Sequence, residues 1–350
     1  MKSIRTLVVD DSAFNRRAIA QALADVQGVE VVGRASDGDE ALRLVSELTP
    51  DLITLDLEMP RMDGFTFLRL LMARRPTPVI VVSGYSTKEK VFRALELGAI
   101  DFVAKPERSA STKLGGVIKQ LTEKVRLVRH LSPAGLLRET SESPQVHEQR
   151  SSRRPVSNEV PSKIILIASS TGGPSALLEL FSKIGSDSTC AAVIAQHMPE
   201  RFTRTFADRL DRLGGMHFEE AKDGAPLVAG AAYVCPGGHC VEVEEKYGRF
   251  VVRVVTPEEC DRYVPSADRL FASGARVLGA RIVAVVLTGM GDDGAQGVSL
   301  VKAAGGQVLA ESPDTAVIYG MPGSAFRTGA VDESLPLPKL ASTLAAISSK

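Results

Sequence analysis

Apolar residues in the first part of the chain come in short runs rich in β-branched side chains, separated by stretches of helical period. RTLVVDD, VEVVGRAS, LITLDLE, PVIVVSG and IDFVAKP read as strands. FNRRAIAQALADV, DEALRLVSEL and KEKVFRALELG read as the helices between them. Five such units within about 125 residues predict a doubly wound, five-stranded parallel sheet. From Ser132 to Ser162 the pattern stops, and SESPQVHEQRSSRRPVSNEVPS has the composition of a linker. A second alternation begins at Lys163. IILIAS, AAVIAQ, AAYVCP, RIVAVVLTG and QVLAES read as strands, and VEVEEKYGRFVVRVV as a hairpin about Tyr247-Gly248. RFTRTFADRLDRL and SADRLFASGARVLG are helical in period. The expected layout is an α/β domain over 1–125, the end of its last helix and a linker over 126–162, and a second doubly wound α/β domain with a small antiparallel hairpin over 163–350.

Composition narrows the classes. Of 350 residues, 44% are hydrophobic and 24% charged, ordinary values for a globular protein. Lys plus Arg and Asp plus Glu number 42 each, so no basic excess argues for nucleic acid. No apolar run reaches the roughly 18 residues a membrane span needs, and the N-terminus lacks the form of a signal peptide. The expectation is a cytoplasmic monomer that neither enters a membrane nor binds nucleic acid. The four cysteines form no C-x-x-C pair, which disfavours a zinc site.

In a parallel α/β sheet the chemistry gathers at the carboxyl ends of the strands. In the first domain those ends carry Asp10, Asp11, Asp56, Ser83 and Lys105. Three carboxylates crowded at one edge repel and call for a cation or for protonation. A hard ion such as Mg²⁺ takes carboxylates together with phosphate and water. Any one of these residues is commonly just a polar strand end; the full set in this order is not. Residues 1 to about 125 thus resemble a response-regulator receiver domain. The resemblance implies Asp56 as phospho-acceptor and Asp10, Asp11 and Asp56 as Mg²⁺ ligands. It also implies Ser83 and Lys105 as phosphate contacts, Phe102 as the switch aromatic, and a Lys105-Pro106 bond of the kind often cis in that family.

In the second domain the first strand runs into ASSTGGPSALL. Residues 168–172 nearly fit G-x-S-x-G, with Ser170 at the centre and Ala168 in place of the first glycine. A serine between a strand and a helix N-terminus lies near free backbone N–H groups able to stabilise an oxyanion. A plain helix cap before Pro174 is an equally good reading of the same residues. A nucleophilic serine needs a base. His197 ends the strand AAVIAQ and so falls at the same sheet edge; His239, in PGGH, is the runner-up, and His217 reads as structural. His130 and His147 lie near or within the linker.

The loop LTGMGDDGAQG offers two readings. Gly289, Gly291 and Gly294 fit the dinucleotide pattern G-x-G-x-x-G, with Glu311 about 20 positions on. Asp292 and Asp293 argue against a pyrophosphate there, since each repulsion at about 4 Å is worth on the order of 1 kcal/mol even in water. A carboxylate at a helix N-terminus instead suits a histidine partner, with Asp293 the first choice and Asp292 a solvated neighbour.

Residues 163 to about 345 resemble the catalytic domain of the chemotaxis protein-glutamate methylesterase family (CheB). The motifs are SSTGG, QHMPERFTRTFADRL, AKDGAPL, YVCPGGH, PSADRLF, LTGMGDDGAQG and VIYGMPGSA. The resemblance implies Ser170 as nucleophile, His197 as base and Asp293 as orienting acid, with Thr171 and Met290 lining the site. It implies no cofactor for the ester chemistry. Methyl-accepting chemoreceptors would be the substrate and a chemotaxis histidine kinase the phosphoryl donor. Demethylation of receptor glutamate esters with release of methanol, deamidation of receptor glutamines, and activation by phosphorylation follow from it. Ala168-Ser169 departs from the family's usual Gly-Ala and places a rival hydroxyl beside Ser170. The competing reading is a non-catalytic signalling module with a degenerate output domain.

Overall fold

The computed structural model describes residues 3–84, 88–105, 114–131 and 159–349. The linker predicted within 126–162 falls largely outside them, as do Pro106 and His147. The chain divides into two compact units, Met1–Ser143 and Pro144–Lys350.

The first unit is a five-stranded parallel sheet of β1 (Ile4–Val9), β2 (Val29–Ala35), β3 (Leu52–Leu55), β4 (Val79–Gly84) and β5 (Asp101–Lys105), in the order β2-β1-β3-β4-β5. Leu52–Leu55 is buried throughout, as a strand covered on both faces must be. The helices are α1 (Ala13–Ala24), α2 (Gly38–Leu48), α3 (Gly64–Arg74), α4 (Lys88–Glu96) and α5 (Leu114–Leu127). Ser12, Asp37 and Asp63 start the first three by accepting the N–H of Asn15, Glu40 and Thr66. The strand order reverses between β1 and β3, so the crevice of this sheet opens at Asp10, Asp11 and Asp56.

The second unit holds a seven-stranded, wholly parallel sheet ordered β15-β14-β13-β6-β7-β10-β8. Its strands are β6 (Ile164–Ser169), β7 (Ala191–Gln196), β8 (His217–Glu220), β10 (Ala231–Val234), β13 (Ile282–Val286), β14 (Gln307–Glu311) and β15 (Glu333–Leu335). The predicted hairpin is β11 (Cys240–Lys246) with β12 (Arg249–Val255), and β9 (Ala225–Pro226) extends it to three antiparallel strands. Helices α6 (Gly173–Phe181), α7 (Glu200–Asp211), α8 (Ala267–Leu278), α9 (Ala295–Ala303), α10 (Met321–Arg327) and α11 (Leu337–Ser348) complete it. The periodicity marked every long strand and overlooked three short ones. β8 and β15 are sheet edges, paired on one side only, and β9 has two residues. Apolar alternation over two to four residues is too little signal to read. The reversal of strand order here falls between β6 and β13.

Candidate active site and acidic cluster

β6 turns directly into α6 at its carboxyl end, and Ser170 occupies the turn. Gly172, at φ 79°, and Pro174 in the first turn launch the helix, whose positive N-terminal end faces that turn. The neighbouring strand is locked to it: His197 N–H donates to the Ser169 carbonyl at 3.0 Å. The buried Gln196 side chain adds a second tie, with Nε2 donating to the carbonyls of Ser170 (2.9 Å) and His197 (3.1 Å). On the other side, Ser170 N–H donates to the Thr288 carbonyl at 3.1 Å, beyond the end of β13. Residues from the ends of three adjacent strands therefore meet at the point where the strand order reverses, where open α/β sheets bind ligands.

The adjacent serines face different surroundings. Ser169 is fully buried, and its hydroxyl donates to Gln196 Oε1 at 2.7 Å. Ser170 is half-buried, and its hydroxyl makes no hydrogen bond among the described residues. The rival hydroxyl is thus consumed as a structural tie.

His197 Nε2 lies 2.7 Å from Asp293 Oδ2. With Nε2 on the carboxylate, Nδ1 is the ring nitrogen left for a second partner. Asp293 is 1% exposed and accepts the N–H of Ala267 (2.8 Å) and Asp268 (3.0 Å). A helix N-terminus was expected to hold this carboxylate, and one does, but not the helix that follows it. α9 is capped by Gly294, and Asp293 sits instead at the start of α8, beside the N-cap Ser266. Asp268 returns the arrangement by accepting the N–H of Gly297 at 2.7 Å in the first turn of α9. Burial pushes the Asp268 carboxyl above its usual range, with Asp293 adding to the effect.

The glycines of LTGMGDDGAQG act through close approach. A Cβ on Gly289 would fall 2.7 Å from Ser170 Cβ and 2.4 Å from Met321 Sδ. Glu311 is fully buried and accepts the Thr288 N–H at 2.8 Å, so it braces this loop from inside and cannot reach a ribose. The dinucleotide pattern is a coincidence of tight turns. Asp292 is no free neighbour either: Arg262 and Tyr263 hold it. Thr171 is buried, its carbonyl accepting the Thr288 hydroxyl at 3.0 Å, whereas Met290 is exposed on the loop. His239 Nδ1 lies 3.4 Å from the Gly237 carbonyl of its own loop, and His217 pairs with Asp211 at 2.8 Å on the edge strand. Tyr263 was not singled out in the sequence, because nothing local marks an aromatic whose partner lies 66 positions away.

In the first unit, one oxygen from each of Asp10, Asp11 and Asp56 lies within 4.8 Å of the others. Lys105 ion-pairs with Asp10 at 2.8 Å and also with Asp56. Burial raises the Asp10 carboxyl above its usual range even though Lys105 pulls it down. Burial works against the Lys105 charge, but Asp56 and Asp10 outweigh it and keep the ammonium protonated. Asp10 Oδ2 is buried and faces the Lys105 ammonium, while Oδ1 accepts the Ser12 N–H at 3.0 Å. Three clustered carboxylates, two of them buried, form a hard oxygen donor set of the kind Mg²⁺ takes. Ser83 is buried at the end of β4, and Phe102 is buried with its ring edge-on to Phe92 at 6.4 Å.

Among the described residues no helix is long and apolar enough to cross a membrane. A family model described as CheB methylesterase matches residues 165–344, and one described as response regulator receiver domain matches 6–113. Protein-glutamate methylesterase/protein-glutamine glutaminase 3 of Geobacter sulfurreducens is 45% identical over 359 residues, covering 97% of this chain and 96% of its own. A protein of the same description, numbered 1, from Myxococcus xanthus is 45% identical over 344 residues, with coverage of 98% and 97%. Among solved structures, the Thermotoga maritima CheB methylesterase catalytic domain is 34% identical with a TM-score of 0.52, covering 54% of this chain and 100% of its own.

Proposed function

Because this chain belongs to the CheB methylesterase family and carries a response-regulator receiver domain, we propose that it is a phosphorylation-activated serine hydrolase of chemoreceptors. Its reaction removes methyl groups from receptor glutamate esters and converts receptor glutamines to glutamate. The observation that carries this reading is the meeting of Ser170, His197 and Asp293 at the ends of adjacent strands, with Asp293 bonded to the imidazole at 2.7 Å.

Ser170 Oγ attacks the ester carbonyl carbon as His197 Nδ1 accepts its proton. Asp293 holds the Nε2–H and stabilises the imidazolium that forms. The N-terminus of α6 faces the oxyanion, where one well-placed donor is typically worth about 10²–10³ in rate. The C–O bond to the methoxy group then breaks, His197 returns the proton, and methanol leaves. Water attacks the acyl-enzyme, giving its proton to His197 and then on to Ser170, and the product is a glutamate side chain. The same steps on glutamine release ammonia. Two N–H groups at the start of α8 donate to the Asp293 carboxylate and fix it in place. The Ser170 hydroxyl and His197 close up when substrate arrives, as catalytic hydrogen bonds commonly do.

In the receiver, Asp56 accepts the phosphoryl group from a chemotaxis histidine kinase. Asp10, Asp11 and Asp56 would hold Mg²⁺, which would supply positive charge against the phosphoryl oxygens. Lys105 and Ser83 contact the phosphate, and Phe102 responds to it. Phosphorylation then relieves inhibition of the catalytic domain by the receiver. The proposed domain limits are 1–125 for the receiver and 163–350 for the esterase. A serine-directed fluorophosphonate, followed by peptide mass spectrometry, tests the nucleophile. The expected adduct is on Ser170, with methanol release lost in step; an adduct on Ser169 refutes the assignment.

A further inference from the structure

The imidazole of His197 has a neighbour on its face as well as on its edge. The Tyr263 ring lies 5.3 Å from it, centroid to centroid, and within 8° of parallel. That phenol is itself anchored. Its hydroxyl donates to Asp292 Oδ1 at 2.8 Å. Asp292 also accepts from Arg262 Nη1, at 3.1 and 3.2 Å to its two oxygens. The Arg262 guanidinium then lies 5.1 Å from the Tyr263 ring centroid. Gly291 completes the fit: at φ 92° it takes a conformation that favours glycine, and a Cβ there would fall 2.4 Å from the Tyr263 hydroxyl oxygen. Two loops, 262–263 and 291–292, thus meet around one ring whose hydroxyl is committed to Asp292.

An imidazole held only at Nε2 can still tilt about that bond and swing Nδ1 away from Ser170. A flat ring against its face removes that freedom, and misplacement of a reacting group by about 1 Å can cost on the order of 10²-fold in rate. The π-face also favours a cation, and His197 becomes one in the transition state. We propose that Tyr263, anchored by Asp292 and Arg262, is a positioning residue that fixes the plane of the His197 imidazole during hydrolysis. The proposal rests on the reading of His197 as the base. It gives Asp292 a structural role that its place beside Asp293 does not reveal. Burial, and then the bond to Asp292, hold the Tyr263 phenol above its usual pKa, so it remains a donor.

The test uses full-length protein with Tyr263→Leu, Tyr263→Phe and Asp292→Ala, read by methanol release and by proton NMR of the His197 Nε2–H in its bond to Asp293. Tyr263→Leu is expected to lower kcat about tenfold with KM within about twofold, and to broaden the Nε2–H signal. Tyr263→Phe keeps the ring and is expected to stay within about threefold of wild type with the signal retained. Asp292→Ala leaves the ring in place without its anchor, and a two- to fivefold loss of kcat is expected. Wild-type kcat and an unchanged signal in Tyr263→Leu overturn the proposal. So does a loss in Tyr263→Phe equal to that in Tyr263→Leu, because the hydroxyl rather than the ring would then be acting. If Tyr263→Leu folds poorly, Asp292→Ala decides: full activity with an unaltered signal refutes the anchor. The NMR reading does not depend on ester chemistry. Wild-type protein inactive on methylated receptors would sink the proposed function while leaving the Tyr263 question answerable.

Discussion

Ser169 and Ser170 are chemically identical neighbours, and the backbone alone gives them different work. Ser169 belongs to β6 and points into the core, where Gln196 takes its hydroxyl. Ser170 is the first residue past the strand and stays accessible. Ser169→Ala is therefore expected to leave methanol release near wild type and to lower stability by about 1–2 kcal/mol, because the buried Gln196 oxygen loses its donor. Chemical denaturation measures the second effect. Asp293→Asn is expected to lower kcat by about 10³–10⁴ with the fold retained, since an amide cannot hold the imidazole in the same tautomer or balance its charge. Steady-state kinetics of that variant checks it. The placement of Ser170, His197 and Asp293 at one sheet edge was legible in the sequence, because each follows a strongly apolar strand. The bond that selects Asp293 over Asp292 was not, and neither was Tyr263. Both depend on the loop before α8, whose position follows from no local pattern.

At the scale of elements, two helices share their N-termini. Asp293, ahead of α9, caps α8, and Asp268, within the first turn of α8, caps α9. Phe271 lies between them, fully buried against Gly297. Phe271→Ala is expected to cost about 3–5 kcal/mol and to loosen the Asp293 carboxylate together with the helices. The loop that carries Arg262 and Tyr263 is fixed by Asp261, which accepts from Glu258 N–H and Arg269 Nη1, both at 2.7 Å. Burial works against ionisation of Asp261, but those two donors outweigh it and hold its carboxyl below the usual range. A depressed folded pKa contributes stability that is present above the unfolded value, about 3.9, and is lost as pH falls through the folded one. Asp261→Asn should therefore lower the thermal midpoint at pH 7, with a difference that shrinks below about pH 4. A midpoint difference that is the same at both ends of that range would remove the charge from the explanation. The alternation of strand and helix in both units was legible because central parallel strands are apolar on both faces. The reciprocal caps were not, since they join residues 25 to 29 positions apart.

At the scale of the whole molecule, the chain joins a receiver domain with an acidic sheet edge to a CheB methylesterase domain whose edge carries Ser170 and His197. Each places its chemistry at the crevice where its own strand order reverses. The fold class of both was legible because β–α alternation is a long-range pattern that survives local error. The proposed coupling between them rests on the family resemblance, since it belongs to no single motif. Acetyl phosphate with Mg²⁺ is expected to raise esterase activity of the full-length protein, and Asp56→Asn to abolish that rise. Equal basal rates for the full-length protein and residues 163–350 would remove inhibition by the receiver. Mg²⁺ at ten times its Kd should add about 1.4 kcal/mol of stability to the receiver, and Asp10→Ala should lose most of that gain, as read by denaturation with and without the ion.

The central claim is that Ser170 carries the reaction. It is tested most directly by methanol release from membranes bearing methylated chemoreceptors, with full-length protein, acetyl phosphate and Mg²⁺. Ser170→Ala is expected to lower the rate by about 10⁴–10⁶-fold, while Ser169→Ala continues near the wild-type rate. Methanol release by Ser170→Ala at the wild-type rate would contradict the account.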